Sequence, residues 1–236
     1  MAKAKIKGAI VSNDDKWIYD WFGLEATSPK DIIDVIEKLD GEDLEIEINS
    51  PGGNVFAGSE IYTALKNYPG KVTINIVGLA ASAASVAAMS GDVVRISPTA
   101  QIMIHNAWSY QEGDYKAMQH SAEVLENVNK SIANAYILKT GLSQEKLLEL
   151  MDRETWLNAK QAKELGFVDE IMFDENNQIA AASKSYLLPP EVINKIRNLV
   201  KNPANEDKKL YEARLRFLKM KGECISEDTR ILEQKK

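Results

Sequence analysis

From Val72 to Gly91 the chain reads VTINIVGLAASAASVAAMSG and carries no charged residue. Such a stretch can either cross a bilayer, which takes ~20 apolar residues, or lie inside a folded core. It divides into a β-branched half, VTINIV, and an alanine-rich half, SAASVAAM, joined at Gly78. Alanine and serine make a weak membrane anchor. A change of character at a glycine fits a buried strand running into a buried helix. The flanks repeat that order. AKIKGAIV (4–11) and WIYDWF (17–22) read as short strands around a polar turn. Thr27 or Ser28 can cap a helix with Pro29 at its first position and Ile32, Ile33, Val35, Ile36 and Leu39 on its apolar face, stopping at Gly41. LEIEINS (44–50) alternates like a strand with one covered face, and Ser50-Pro51-Gly52-Gly53 breaks it before a helix over about 56–67. DVVRIS and QIMIH are strands split by Pro98. Residues 113–139 form a long helix with Met118, Ala122, Leu125, Val128, Ile132 and Tyr136 on one stripe. Ser143 caps a further helix to Met151. TWL is extended, Asn158 caps a helix with Gln161 at the capping-box position, Gly166 ends it, and FVDEIM closes as a strand. Strands and helices in this succession predict an α/β domain with a mostly parallel sheet and right-handed crossovers.

The 236 residues, 44% of them hydrophobic, suffice for one sizeable core. A net charge of -6 with dispersed Lys and Arg is a poor footprint for nucleic acid. The single cysteine, Cys224, excludes an intramolecular disulfide, and no Cys/His cluster points to zinc. A reducing, cytoplasmic setting and no membrane partner are the expectation. The basic N-terminus lacks an apolar run of secretory length. From about 185 the character changes: LLPPEVINKIRNLV can form one helix, and charge dominates after Asn202-Pro203. The expected organisation is a domain over 1–183 and a helical, charge-rich extension over 184–236.

Four local signals carry chemistry. In Gly78-Leu79-Ala80-Ala81-Ser82-Ala83-Ala84-Ser85 a strand arrives, bends and opens a helix at Ser82. Exposed amides there, Ala83's among them, favour an oxyanion, in the logic of a nucleophile elbow without its G-x-S-x-G spelling. A serine that merely caps a helix gives the same local pattern. Ser50-Pro51-Gly52-Gly53 could turn backbone amides into a site or be an ordinary turn. His105 ends the strand Gln101–Ile104, where active sites of α/β folds gather, whereas His120 lies within the long helix. Asp152 and Glu154 follow a helix and could orient an imidazole or simply face water.

In order, INSPGG, GLAASAAS, IMIHNAW and MDRETWLNAKQAKELGFVDEI resemble the ClpP family, the proteolytic subunit of Clp protease, over roughly residues 5–175. The resemblance implies a ClpP/crotonase-like fold of repeated β-α-β units, with the long helix as a protruding handle. It implies a serine endopeptidase with Ser82 as nucleophile, His105 as general base, and the amides of Gly53 and Ala83 as oxyanion hole. Counting back from Trp156-Leu157 puts Glu154 at the family's aspartate position, with Asp152 the other available carboxylate. It implies a peptide or unfolded-protein substrate, a homo-oligomeric ring with the serines in a chamber (stacked heptamers in the family), and no metal or cofactor. Asn106-Ala107-Trp108 after His105, together with Glu154-Thr155-Trp156, is spelled more like the head maturation proteases of phages and prophages. That spelling points to capsid or scaffold precursors as substrates, and the short N-terminus argues against docking an AAA+ unfoldase. The expectations from other classes are a crotonase-fold acyl-CoA enzyme and a catalytically silent assembly protein.

Overall fold

β3 (Leu44–Gly53) is the spine of an eight-stranded sheet in the computed structural model, which describes residues 2–173. β1 (Ala2–Ile10) lies on one side of it and β4 (Val72–Ala81) on the other, both parallel. β2 (Ala26–Thr27), β5 (Val93–Ile96) and β8 (Glu170–Ile171) complete the order β2-β1-β3-β4-β5-β8. The path forks at β4. Thr73–Ile76 pair with β5, while Leu79–Ala81 pair with β6 (Gln101–Ile104), again in parallel. β7 (Thr155–Asn158) closes on β6 as the one antiparallel pair among the described residues. The expected α/β class with a mostly parallel sheet is the one observed. The expected extension over 184–236 lies outside the described residues.

The alternation of β3 has the energetic content expected of it. Leu44, Ile46 and Ile48 are fully buried, as are Ile74 and Ile76 beside them on β4. Each such side chain contributes about 1.5–3 kcal/mol on burial. The alternate residues face out in register: Lys3 pairs with Glu45 at 3.1 Å and Lys5 with Glu47 at 3.8 Å.

α2 (Pro29–Ile36) begins where expected, with Asp31 Oδ2 accepting the Ser28 backbone N–H at 2.8 Å. α3 (Val55–Lys66) is capped by Asn54, whose Oδ1 accepts the amides of Phe56 and Ala57. α4 (Ala83–Ala88) is wholly buried. α5 (Tyr115–Thr140) is the long helix, ending at Gly141 in the left-handed region. The later part of its apolar stripe meets the core, with Ile132 and Tyr136 buried and Val128 packed against it, while Met118 stays exposed. α6 (Gln144–Asp152) and α7 (Ala159–Glu164) follow, the latter with the predicted Asn158/Gln161 capping box. No helix of the described residues is long and apolar enough to cross a membrane.

Three local expectations fail. WIYDWF is a helix, α1 (Lys16–Trp21), not a strand. Its aromatic content mimicked β-propensity, but Trp17 and Trp21 lie on one exposed flank and no residue of α1 is buried. Ser50–Gly53 does not break β3, which runs through to Gly53 with a register shift against β4 between Ile48 and Ser50. Gly78 is not the turn before the second serine-rich half. β4 continues through it to Ala81, and a Cβ there would meet only the amide tip of the Asn49 side chain, at 2.5 Å.

Candidate active site

The turn that Gly78 was expected to make is made by Ser82. This residue has φ 54 and ψ -126, joining β4 directly to α4. A non-glycine residue at positive φ is strained and persists where the surroundings over-determine it. The surroundings here are explicit. Ser82 N–H donates to the Met103 carbonyl at 2.9 Å, and its own carbonyl accepts Ser85 N–H at 2.9 Å and Val86 N–H at 3.3 Å. Held this way, the side chain stands at the C-terminal edge of the parallel strands, where ligands of α/β folds bind.

The β4–β6 pairing supplies the partner. Ala81 is registered with Met103, so Ser82 and His105 emerge side by side although 23 positions separate them. Ser82 Oγ and His105 Nε2 are 2.7 Å apart. For the hydroxyl to donate, the imidazole proton must sit on Nδ1.

The end of β3 presses on the same turn. A Cβ on Gly52, at φ 86, would lie 2.5 Å from the Ala81 carbonyl oxygen, 2.7 Å from Ser82 Cβ and 2.9 Å from Ala83 N. Gly52 therefore lets two backbones touch beside the hydroxyl. Its own N–H is already taken by Ser50 Oγ at 3.0 Å, and that hydroxyl donates to the Gly8 carbonyl at 2.6 Å. Gly53, the next residue, abuts Ile10 instead: a Cβ there would fall 2.1 Å from the Ile10 carbonyl oxygen. Ala83 is the first residue of α4 and is buried beneath Ser82.

The carboxylates are placed differently. The last β6–β7 pair is Ile104 with Thr155, so the next positions along that register are His105 and Glu154. Glu154 occupies this corner at φ 47, yet its Oε1 accepts from its near neighbour Trp156 Nε1 at 3.3 Å. Asp152 Oδ1 accepts Asn106 Nδ2 at 2.7 Å. Neither carboxylate is hydrogen-bonded to His105, and both are exposed. Asn106 Oδ1 is buried without a hydrogen-bond partner among the described residues. No group of three or more His, Cys, Asp or Glu side chains suited to a metal occurs among the described residues.

Sequence reasoning missed three contributors. Gly52, rather than Gly53, makes the close contact with Ser82, and only a register between β3 and β4 could have said so. Ser85 is not an accessible second serine but a fully buried one, donating to the Ser82 carbonyl at 2.6 Å. Tyr136, seen only as part of an apolar stripe, hydrogen-bonds Ser85 at 2.8 Å.

The chain is also similar to known proteins. A model of the Clp protease family matches residues 27–175. The ATP-dependent Clp protease proteolytic subunit of Bacteroides fragilis is 33% identical over 134 residues, covering 56% of this chain and 65% of that protein. Proteolytic subunit 1 of Chlamydia abortus is 34% identical over 170 residues, 66% of this chain and 87% of that protein. The subunit of Marchantia polymorpha is 34% identical over 155 residues, 63% and 76% respectively. The chain thus spans a little under two thirds of the Bacteroides fragilis subunit.

Proposed function

Since the chain belongs to the Clp protease family, we propose that it is a serine endopeptidase in which Ser82 attacks the peptide carbonyl and His105 is the general base. The observation that carries this reading is the 2.7 Å contact between Ser82 Oγ and His105 Nε2 at a strained, over-determined turn. An acyl-CoA enzyme of the same fold has no use for that pair. His105 Nε2 takes the hydroxyl proton as Oγ bonds to the carbonyl carbon, and the resulting oxyanion is held by the amides of Gly53 and Ala83. The tetrahedral intermediate collapses, the imidazolium gives its proton to the departing amine, and water repeats the sequence to release the acid. Glu154 is the proposed orienting acid: it stands opposite His105 by strand register, and in that role its carboxylate would exchange Trp156 Nε1 for His105 Nδ1. Catalytic hydrogen bonds commonly tighten only when substrate is bound.

Ser82→Ala is expected to abolish peptide hydrolysis and fluorophosphonate labelling while leaving the far-ultraviolet spectrum unchanged. Covalent label on any residue of this variant, Ser85 included, would sink the assignment.

The finer reading is a homo-oligomeric ring enclosing the serines and processing phage capsid or scaffold precursors. It is supported by family membership for the ring, and by the spelling His105-Asn106-Ala107-Trp108 and Glu154-Thr155-Trp156 for the substrate. Native mass spectrometry, with capsid protein co-expressed, is expected to give a closed oligomer and a trimmed capsid product that is lost with Ser82→Ala. A monomer, or capsid protein left full-length, argues against it.

A further inference from the structure

Two hydroxyls are buried behind Ser82 among apolar side chains. Ser85 is fully buried among Ala83, Ala84, Ala87 and Ala88, and Tyr136 is 1% exposed, its ring beside Phe167 at 5.7 Å. Burying a hydroxyl is costly unless it is hydrogen-bonded, and alanine is the better helix former at position 85. Both hydroxyls have partners, and those partners form a chain. Ser85 Oγ donates its one proton to the Ser82 carbonyl at 2.6 Å, so at the 2.8 Å contact with Tyr136 it must accept. The relay therefore runs in one direction, from Tyr136 O–H to Ser85 O–H to the carbonyl of Ser82.

That carbonyl and the N–H of Ala83 are the two ends of one planar, resonant peptide group. Drawing electrons towards the carbonyl oxygen makes the N–H at the other end a stronger donor, and linked hydrogen bonds reinforce one another at low dielectric. We propose that Ser85 and Tyr136 are positioning residues that lock and polarise the Ser82–Ala83 peptide so that the Ala83 N–H is a stronger donor to the oxyanion. The proposal rests on the peptidase reading of the same site. It also gives the long helix a catalytic task, because Tyr136 brings α5 into hydrogen-bonded contact with the strained turn.

An ordinary helix-end hydrogen bond would need only Ser85 and would matter only for folding. Four proteins separate the two: the unaltered chain, Ser85→Ala, Tyr136→Phe, and the double variant. Rates are expressed per fluorophosphonate-titrated site, so unfolded protein does not count. Ser85→Ala is expected to lower kcat about 10-fold, and Tyr136→Phe about 3-fold. Both lie below the ~10²–10³ seen for outright loss of an oxyanion donor. KM should stay unchanged, because the oxyanion exists only beyond the ground state. Affinity for a peptide boronate, whose tetrahedral adduct fills the same hole, should fall in parallel. The double variant removes the unpartnered phenol left by Ser85→Ala and so recovers thermal stability, yet its kcat should remain at the Ser85→Ala level. Recovery of the unaltered kcat along with stability would overturn the proposal. An arm that needs no turnover follows the Ala83 amide proton, expected to move upfield in Tyr136→Phe; an unmoved resonance also overturns it. If the unaltered chain neither hydrolyses peptides nor takes up label, the peptidase reading falls on its own, and the amide resonance still decides whether the relay polarises this peptide.

Discussion

On one side of Ser82 the chain is sealed. Gly52 lies against Ser82 and Ala83 with no room for a methyl group, Ser50 holds the Gly52 amide, and Ser85 and Tyr136 are buried beneath the turn. On the other side, beyond His105, two exposed carboxylates are engaged elsewhere, Asp152 with Asn106 and Glu154 with Trp156. The first side is built from backbone and buried hydroxyls, which a single chain can fix through close packing. The second is built from long, solvated side chains, whose geometry costs rotamer entropy to hold. The backbone around Ser82 is thus fixed by packing, while the side chains beyond His105 are not.

If this contrast is right, the largest effects come from disturbing the sealed side. Gly52→Ala adds a Cβ that collides with backbone atoms rather than with yielding side-chain tips. Overpacking of about 1–3 kcal/mol adds to about 1–2 kcal/mol for leaving a side chain at positive φ. Displacing the Ala83 amide should cost a further ~10²-fold or more in kcat. Gly141→Ala is the control: it shares a positive φ, at 72°, but meets nothing within 4 Å. Melting temperature and kcat measured together should show Gly52→Ala losing both and Gly141→Ala losing a little stability alone. Equal losses in the two would mean that close packing at Gly52 has no special part.

The same division explains what could be read from the chain before folding. Strand and helix order from α2 onward, the burial of Val72–Gly91, the Asn158/Gln161 cap and the adjacency of Ser82 and His105 follow from periodicity, turn residues and motif order. Those are local signals, or signals carried by resemblance. What was not legible depends on register. That Gly78 continues a strand and Ser82 makes the turn follows from how β4 sits against β3 and β6. Tyr136 reads like any apolar stripe residue until α5 is laid beside α4. The aromatic residues of α1 read as a strand, but such residues favour strands only where a sheet exists to pack against.

The exposed side should give smaller effects, and Glu154 offers the most discriminating of them. It sits at φ 47, a conformation that costs a non-glycine residue about 1–2 kcal/mol. Glycine relieves that strain but returns about 0.5–1 kcal/mol of backbone entropy to the unfolded chain. Glu154→Gly should therefore stabilise the fold, by up to about 1.5 kcal/mol. If Glu154 swings to His105 during turnover, the same change removes the group that steadies the imidazolium, and kcat falls. Stability and rate would move in opposite directions, which is how strain kept for function shows itself. Glu154→Gln keeps the strain and loses only the charge, so it should share the fall in kcat without the gain in stability. Asp152→Asn exchanges one acceptor of the Asn106 amide for another and should change the rate less than either. A rate that follows Asp152 rather than Glu154 would move the orienting carboxylate to the α6 end, and would make the Asn106–Asp152 contact the one that opens when substrate binds.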